Sequence, residues 1–376
     1  MRETFVFVHR WLGITAGIVF AIASLTGAIL VYEPELDRWL NAGRFPITPG
    51  QIEPAALDAA VAAAVGNATL RGVQWPTPRR PVFSLDVRDN GRGREILLDP
   101  GTGSVIEATR GENRVIRGIR RVHTQLFAGR PGKLVLEISC YAALVGLLTG
   151  AVLWWPGIQK MASGLLIRMR RGTYILNYDL HQSTGILFLP LLFVLTLTGV
   201  MIPMAGFSEA VGRMVMPGSE GPRGFPEVRS TPGAPTAADL SIEWLVIAAR
   251  RMTGIAQVES IAFPDADDGV IEIRVGAGRP LEAGHIVRVL IDRYSGDVLQ
   301  VRDTRALDPA VRFARSGVYN IHVGAVGGSL VRFLWFIACV VGFVLMLTGL
   351  VVWWMKRTRK AQSVEQREAM RARHVA

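Results

Sequence analysis

Four of the six histidines in this chain recur at matched positions. His123 opens HTQLFAGRPGKLVLEISCYAALVGLLTGAVLWW, and His322 opens HVGAVGGSLVRFLWFIACVVGFVLMLTGLVVWW, at a constant separation of 199 residues with no gap. His9 opens HRWLGITAGIVFAIASLTG, and His181 opens HQSTGILFLPLLFVLTLTG, 172 residues apart. A repeat of this kind is sought before any other pattern. Here it sets one histidine before each of four apolar runs. A pair of neutral imidazoles is a known way to hold iron at the centre of a porphyrin. Two units in the same orientation predict a pseudo-twofold axis along the membrane normal. That axis pairs His9 with His181 and His123 with His322, which predicts two haems stacked across a bilayer.

The elements that must position these histidines follow from hydropathy. Half the residues are hydrophobic, which suits a membrane protein with sizeable polar parts. Four runs reach the roughly 20 residues a bilayer core requires: Trp11–Tyr32, Leu134–Trp155, Thr184–Gly206 and Leu330–Trp354. Trp11, Trp154, Trp155, Trp353 and Trp354 fall at interface depth. The first run is too long for a signal-peptide core and leads into Tyr-Glu-Pro-Glu rather than a cleavage site, so it is expected to be retained. Lys160, Arg168, Arg170 and Arg171 lie between the second and third runs, and a basic tail follows the fourth. Both are expected in the cytoplasm, as is the N-terminus. The long loops, about 34–133 and 207–329, are then periplasmic and the location is a bacterial inner membrane. The net charge of +11 is mostly this bias, and nucleic acid is not expected as a partner. The two cysteines, one in each repeat, read as small buried hydrophobes rather than a disulfide.

Depth links the histidines to the Thr-Gly steps. Thr26 lies 17 residues after His9, about 25 Å along a helix. Thr26-Gly27 and Thr198-Gly199 are therefore expected beside His123 and His322 at the outer face. Thr149-Gly150 and Thr348-Gly349 are expected beside His9 and His181 at the inner face. Small residues there leave room for a flat macrocycle, although such steps also serve plain helix packing. The histidines themselves could be duplicated interface anchors. Arg114, Arg117, Arg120, Arg121, Lys133 and Arg332 suit either haem propionates or lipid headgroups. His285 and His374 have no repeat partner and are not expected to be ligands. One histidine pair per face supplies too few ligands for tetrahedral zinc.

Read in order, the chain gives residues 1–33 as N-terminus and first span, and 34–122 as the first outer module. The second span unit is 123–156, a cytoplasmic loop 157–180 and the third span 181–206. The second outer module is 207–321, the fourth span unit 322–355, and the basic tail 356–376. In the first module Ala55–Val65 reads as a helix. Val82–Val87 and Glu95–Leu98 flank an Asp89-Asn90-Gly91 turn as a hairpin, and the stretch from Leu98 to Val105 is a tight turn into a further strand. In the second, Ile242–Met252 reads as a helix, and Val258–Ala262, Val270–Val275 and Ile286–Ile291 as strands. The turn from Ile291 to Val298 repeats the earlier one. Met214–Pro235, rich in Gly and Pro, has no counterpart in the first loop. The expected fold is a polytopic α-helical membrane protein, with four transmembrane helices from a two-fold internal repeat and two periplasmic α+β modules.

The LDPGTGSV turn resembles that of a PepSY domain. With an HRWLGI opening and later LTG…WW spans, nearly the whole chain resembles the PepSY-associated transmembrane family, and within it the inner-membrane ferric-siderophore reductases. The resemblance implies that His9, His123, His181 and His322 hold two b-type haems. It also implies an oxidoreductase that reduces a periplasmic ferric chelate such as a ferric siderophore and releases its iron. Val275-Gly276-Ala277-Gly278 lacks the third glycine of a dinucleotide fingerprint, so electrons are expected from quinol or a separate reductase. Two further readings stay open: a di-haem cytochrome b subunit serving another protein, and a haem-free PepSY protein that binds or regulates. Membrane lipids are partners in every case.

Overall fold

The computed structural model describes residues 1–40, 47–77, 81–109, 114–157, 159, 161–216, 218–232, 240–276 and 286–375. In chain order the first half gives α1 (Arg2–Thr15), α2 (Gly17–Val31), α3 (Glu33–Leu40), α4 (Pro54–Val65), β1 (Thr69–Gln74), β2 (Phe83–Asp89), β3 (Arg92–Leu98), β4 (Val105–Thr109), α5 (Arg114–Gln125) and α6 (Gly129–Trp154). The second gives α7 (Thr173–Met201), α8 (Ala205–Val215), α9 (Ile242–Thr253), β5 (Val258–Ala262), β6 (Val270–Gly276), β7 (Ile286–Asp292), β8 (Val298–Asp303), α10 (Pro309–Arg312), a π turn (Phe313–Gly317), α11 (Val318–His322) and α12 (Gly328–Val375). These elements form two units. One contains Met1–Tyr32, Arg117–Ala205 and Val318–Ala376, and the other Glu33–Ile116 and Gly206–Gly317.

The first unit is helical and apolar. α6, α7 and the Gly328–Arg359 part of α12 are each long and apolar enough to cross a membrane. A helix does this because it satisfies its own backbone polar groups where no water is available. α1 and α2 pass the same test only together, with a bend of 58° between them. The unbroken first span expected from Trp11 to Tyr32 is therefore corrected to a bent pair, broken at Ala16. Glycine disposes a helix to such a break. Gly17, just past it, also lets α2 lie against α12, since a Cβ there would meet the Met346 sulfur. The helices also begin earlier than their apolar runs, α6 at Gly129 and α7 at Thr173, so His181 sits within a helix rather than at its start. α12 packs on α2 and α7, and α6 packs on α1 and α7.

The second unit is one antiparallel sheet of eight strands, in the order β4-β3-β2-β1-β5-β6-β7-β8. The order is symmetric about the β1–β5 junction. The sequence treats each loop on its own; the structure runs their strands into a single sheet with a single core. β1, unread in the sequence, makes the junction. Gly72 faces Ala262 across it, and a Cβ on Gly72 would lie 3.0 Å from the Ile261 carbonyl, so glycine permits the close approach. Trp75 N–H donates to Glu259 O and Phe263 N–H to Arg71 O, both at 2.9 Å, extending the pairing. α4 and α9 supply Leu57, Val61, Leu245, Val246 and Ala249 to a core with Val73, Leu85, Ile261, Ile273 and Val289. Asp58 of α4 accepts from Ile242 N–H at 2.7 Å and Glu243 N–H at 3.0 Å, where a carboxylate complements a helix N-terminus.

The two Asp-to-Gly turns have the same internal wiring. Asp99, 3% exposed, accepts from the N–H groups of Thr48, Gly101 and Thr102. Asp292 accepts from those of Thr231, Tyr294 and Ser295. Burial raises each carboxyl pKa, and the converging N–H groups more than reverse it, so both sit below the ordinary carboxylate value. The recurring motif is therefore a structural turn, with its acid consumed by backbone.

Candidate cofactor site

The histidines meet in two pairs, both within the helical unit. His9 on α1 and His181 on α7 have ring centroids 6.0 Å apart, their planes at 76°. His123 on α5 and His322 at the end of α11 are 6.2 Å apart at 40°. All four side chains are half-buried. Two imidazoles bound through Nε2 to opposite sides of one metal, with bonds of about 2 Å, would place their centroids roughly 6.3 Å apart. Both pairs lie within a few tenths of an ångström of that separation.

Each ring is held by its other nitrogen, in the same way. His123 Nδ1 donates to Ala23 O at 3.0 Å and lies 3.1 Å from Thr26 Oγ1. His322 Nδ1 donates to Leu195 O at 3.1 Å, with Thr198 Oγ1 also at 3.1 Å. His9 Nδ1 donates to Gly146 O at 3.0 Å beside Thr149 Oγ1 at 3.3 Å. His181 Nδ1 donates to Leu345 O at 2.9 Å beside Thr348 Oγ1 at 3.3 Å. Each threonine hydroxyl spends its proton on its own helix; Thr26 and Thr198, for example, bond Ile22 O and Val194 O at 2.7 Å. Its oxygen can then only accept from the ring. With a carbonyl as the nearest acceptor, the network assigns the proton to Nδ1. That leaves Nε2 as the basic nitrogen, with no hydrogen bond among the described residues. A ligating histidine characteristically gives its second N–H to such an acceptor.

The glycine after each threonine completes the cradle. A Cβ on Gly27 would lie 3.2 Å from His123 Cε1, and one on Gly199 3.2 Å from His322 Cε1. The matching distances are 3.1 Å from Gly150 to His9 and 3.1 Å from Gly349 to His181. The steps pair with histidines as the depth argument expects. What they make room for, however, is the imidazole; their smallness is used by the ring rather than by a macrocycle face.

Other expectations resolve individually. Lys133 pairs with Glu137 at 3.8 Å. Arg332 donates to Val31 O at 2.8 Å and stacks over Tyr32 with 5.0 Å to the ring centroid. His285 lies outside the described residues, as does the side chain of His374. Both cysteines are free thiols, Cys339 buried and Cys140 half-buried. Among the described residues no group of three or more His, Cys, Asp or Glu gathers into a metal cage, so the histidines stand in twos.

Three supports were missed in the sequence. Asp179, two residues before His181 and 4% exposed, takes both Nε and Nη2 of Arg168 at 2.9 and 2.7 Å, clamping the chain before α7 to that helix; residues 173–180, expected as cytoplasmic loop, are the first turns of α7. The sequence counts Arg168 only as a topogenic charge. Trp335 donates Nε1–H to Ile321 O at 2.8 Å, bracing the residue before His322; a tryptophan away from interface depth was its only signal. Leu126 and Phe127 adopt positive φ of 49° and 59°, a conformation branched and bulky residues resist. They turn the chain between α5, which carries His123, and α6.

A family profile described as PepSY-associated TM region matches residues 6–356. No curated protein matches the chain.

Proposed function

The chain belongs to the PepSY-associated transmembrane family, and from that membership we propose a di-haem inner-membrane oxidoreductase that reduces a ferric chelate. The observation that carries this reading is the common tether: four histidines in two pairs, each fixed through Nδ1 with Nε2 free. Interface anchors would have no reason to share one tautomer, one threonine–carbonyl acceptor and one centroid separation.

His9 and His181 would hold one b-type haem through Nε2, and His123 and His322 the other. When bound, such a group supplies one-electron redox chemistry. The protein's own part is orientation and ligand strength. The carbonyl acceptors fix the proton on Nδ1, raise the basicity of Nε2 and stop the rings rotating. The threonine oxygens add a second acceptor, and the glycines admit the ring edge.

The lysine and arginine bias of segments 157–180 and 356–376 supports a cytoplasmic position for one pair and a periplasmic position for the other. The acceptor is then a ferric chelate such as a ferric siderophore, and the donor is quinol or a separate reductase. Ferric iron is held tightly by hard oxygen ligands and ferrous iron much less so, and one-electron reduction therefore releases it.

The test is haem per polypeptide and a reduced-minus-oxidised spectrum of the detergent-purified chain, for wild type, His181→Ala and His322→Ala. Two low-spin haems in wild type and one in each variant are expected. A chain without haem sinks the reading and leaves a haem-free PepSY protein. Haem without reduction of a ferric chelate by the reduced protein moves it to a cytochrome subunit serving a protein acceptor.

A further inference from the structure

The sheet unit carries a cavity of about 290 Å³ whose charged lining, among the described residues, is entirely arginine: Arg288, Arg302, Arg312 and Arg315. Phe225 and Leu307 supply apolar wall. Val287, Val289 and Ile291 of β7 point into the core under α4 and α9. Arg288 alternates with them and faces the other side of the sheet.

The arginines are placed at a cost. Arg288 and Arg302 are direct cross-strand partners, and Arg274 is the partner of Arg288 on its other flank. Like charges directly opposite destabilise a sheet. The corresponding row in the first half of the sheet is Asp86, Glu95 and Thr109, acidic where the second half is basic. Neutralisation within the protein is partial. Among the described residues Glu272 alone lies between Arg288, at 3.3 Å, and Arg274, at 3.9 Å. Arg302 donates to Gln300 Oε1 and Pro226 O, and Arg315 to Arg223 O, all uncharged acceptors. Arg312 Nε is shut away from solvent without a hydrogen bond.

Two features indicate that this arrangement is built. Gly224 and Phe225 come from the Gly/Pro-rich stretch 214–235. It is pinned here by Arg302 Nη2–H to Pro226 O at 2.8 Å and Asp308 N–H to Pro222 O at 3.0 Å. Arg302 also stacks over Phe225, 5.9 Å from its ring centroid. Arg315 is carried on the π turn, a local distortion that recurs at functional sites.

We propose that this cavity binds a small polyanion carrying two or more carboxylate or phosphate groups beside an apolar part. Guanidinium forks match both groups in shape and charge. The volume, at the lower end of small-molecule sites of about 300–1,000 Å³, admits a molecule of citrate's size. The proposal is independent of the haem reading, because every residue it uses lies in the sheet unit.

The experiment titrates citrate and inorganic pyrophosphate, with acetate as a monoanion control at matched ionic strength, into the detergent-purified full chain, reading calorimetric heat and Tm. One citrate or pyrophosphate per chain, a raised Tm and no effect of acetate are expected. The tighter of the two names carboxylate or phosphate as the recognised group. Arg312→Gln should weaken binding about tenfold or more, with the ligand-free Tm unchanged or higher because repulsion is relieved. Arg315→Gln, at an exposed position, repeats the test should the first variant fail to fold. Equal affinity of wild type and variant, equal binding of acetate, or binding of neither polyanion overturns the proposal.

Discussion

His322 Nδ1 and the Leu195 carbonyl oxygen lie 3.1 Å apart across 127 residues of chain, and the same bond recurs at the other three histidines. Its threonine companion gives a selective test. Thr198→Val keeps the volume and removes the oxygen beside Nδ1, while Thr196→Val removes an equally buried hydroxyl that bonds only Leu192 O, at 2.7 Å. Loss of a ligand's supporting partner typically weakens binding about 10–100-fold. Thr198→Val should therefore release haem on dilution that Thr196→Val retains. Equal retention would make the hydroxyl a packing group.

The glycine cradles predict which centre fails. Gly199→Leu drives a side chain into His322 Cε1, and Gly349→Leu into that of His181, since a Cβ alone would stand 3.2 and 3.1 Å from those atoms. Each variant should keep one haem and lose the other, distinguishable by pairing it with His123→Ala or His9→Ala. Gly199→Leu combined with His123→Ala should retain as much haem as either alone, because both strike one pair. A further loss on combining them would place Gly199 with the other centre.

How far the sequence reached is set by the range of the interactions. The hairpin of β2 and β3 was legible because alternation and Asn90-Gly91 are local, α4 because alanine favours a helix at every position, and α9 because a dozen periodic residues repeat the signal. The histidine pairing was legible because repetition carried it. β1 was not: Gly72 interrupts its pattern, and its partner Ile261 lies far along the chain. The Nδ1 acceptors are backbone carbonyls, which no residue type announces. Threonine and glycine marked their place, but nothing local distinguishes a cradle for a ring from space for a cofactor. The bend at Ala16 was hidden inside a run read as one span, and no proline marks it.

The junction that escaped the sequence can be tested directly. Gly72→Val puts a branched side chain where a Cβ already stands 3.0 Å from Ile261 O. Overpacking of this kind costs about 1–3 kcal/mol. The sheet should unfold at lower denaturant in a protease-nicking or circular-dichroism titration, while the haem spectrum of the separate helical unit keeps its intensity. An unchanged midpoint would mean that β1 and β5 are not held at this distance in solution.

The buried turn acids give a pH signature with a definite sign. Asp99 and Asp292 both titrate below the ordinary carboxyl value in the folded chain, so the unfolded state binds more protons in that window. Their stabilisation is complete above an unfolded value of about 3.9 and is lost as pH falls through the lower folded values. Asp99→Asn and Asp292→Asn should each destabilise the sheet at pH 7, by about 1.5–3 kcal/mol for hydrogen bonds to a charged group. The difference from wild type should shrink once the pH drops below the carboxyl range. Thermal unfolding followed from pH 7 down to about pH 2 measures it. Because an uncharged amide at either position can still accept from two N–H groups, a gap that stays constant with pH would show that shape holds these turns, and a gap that closes would show that charge does.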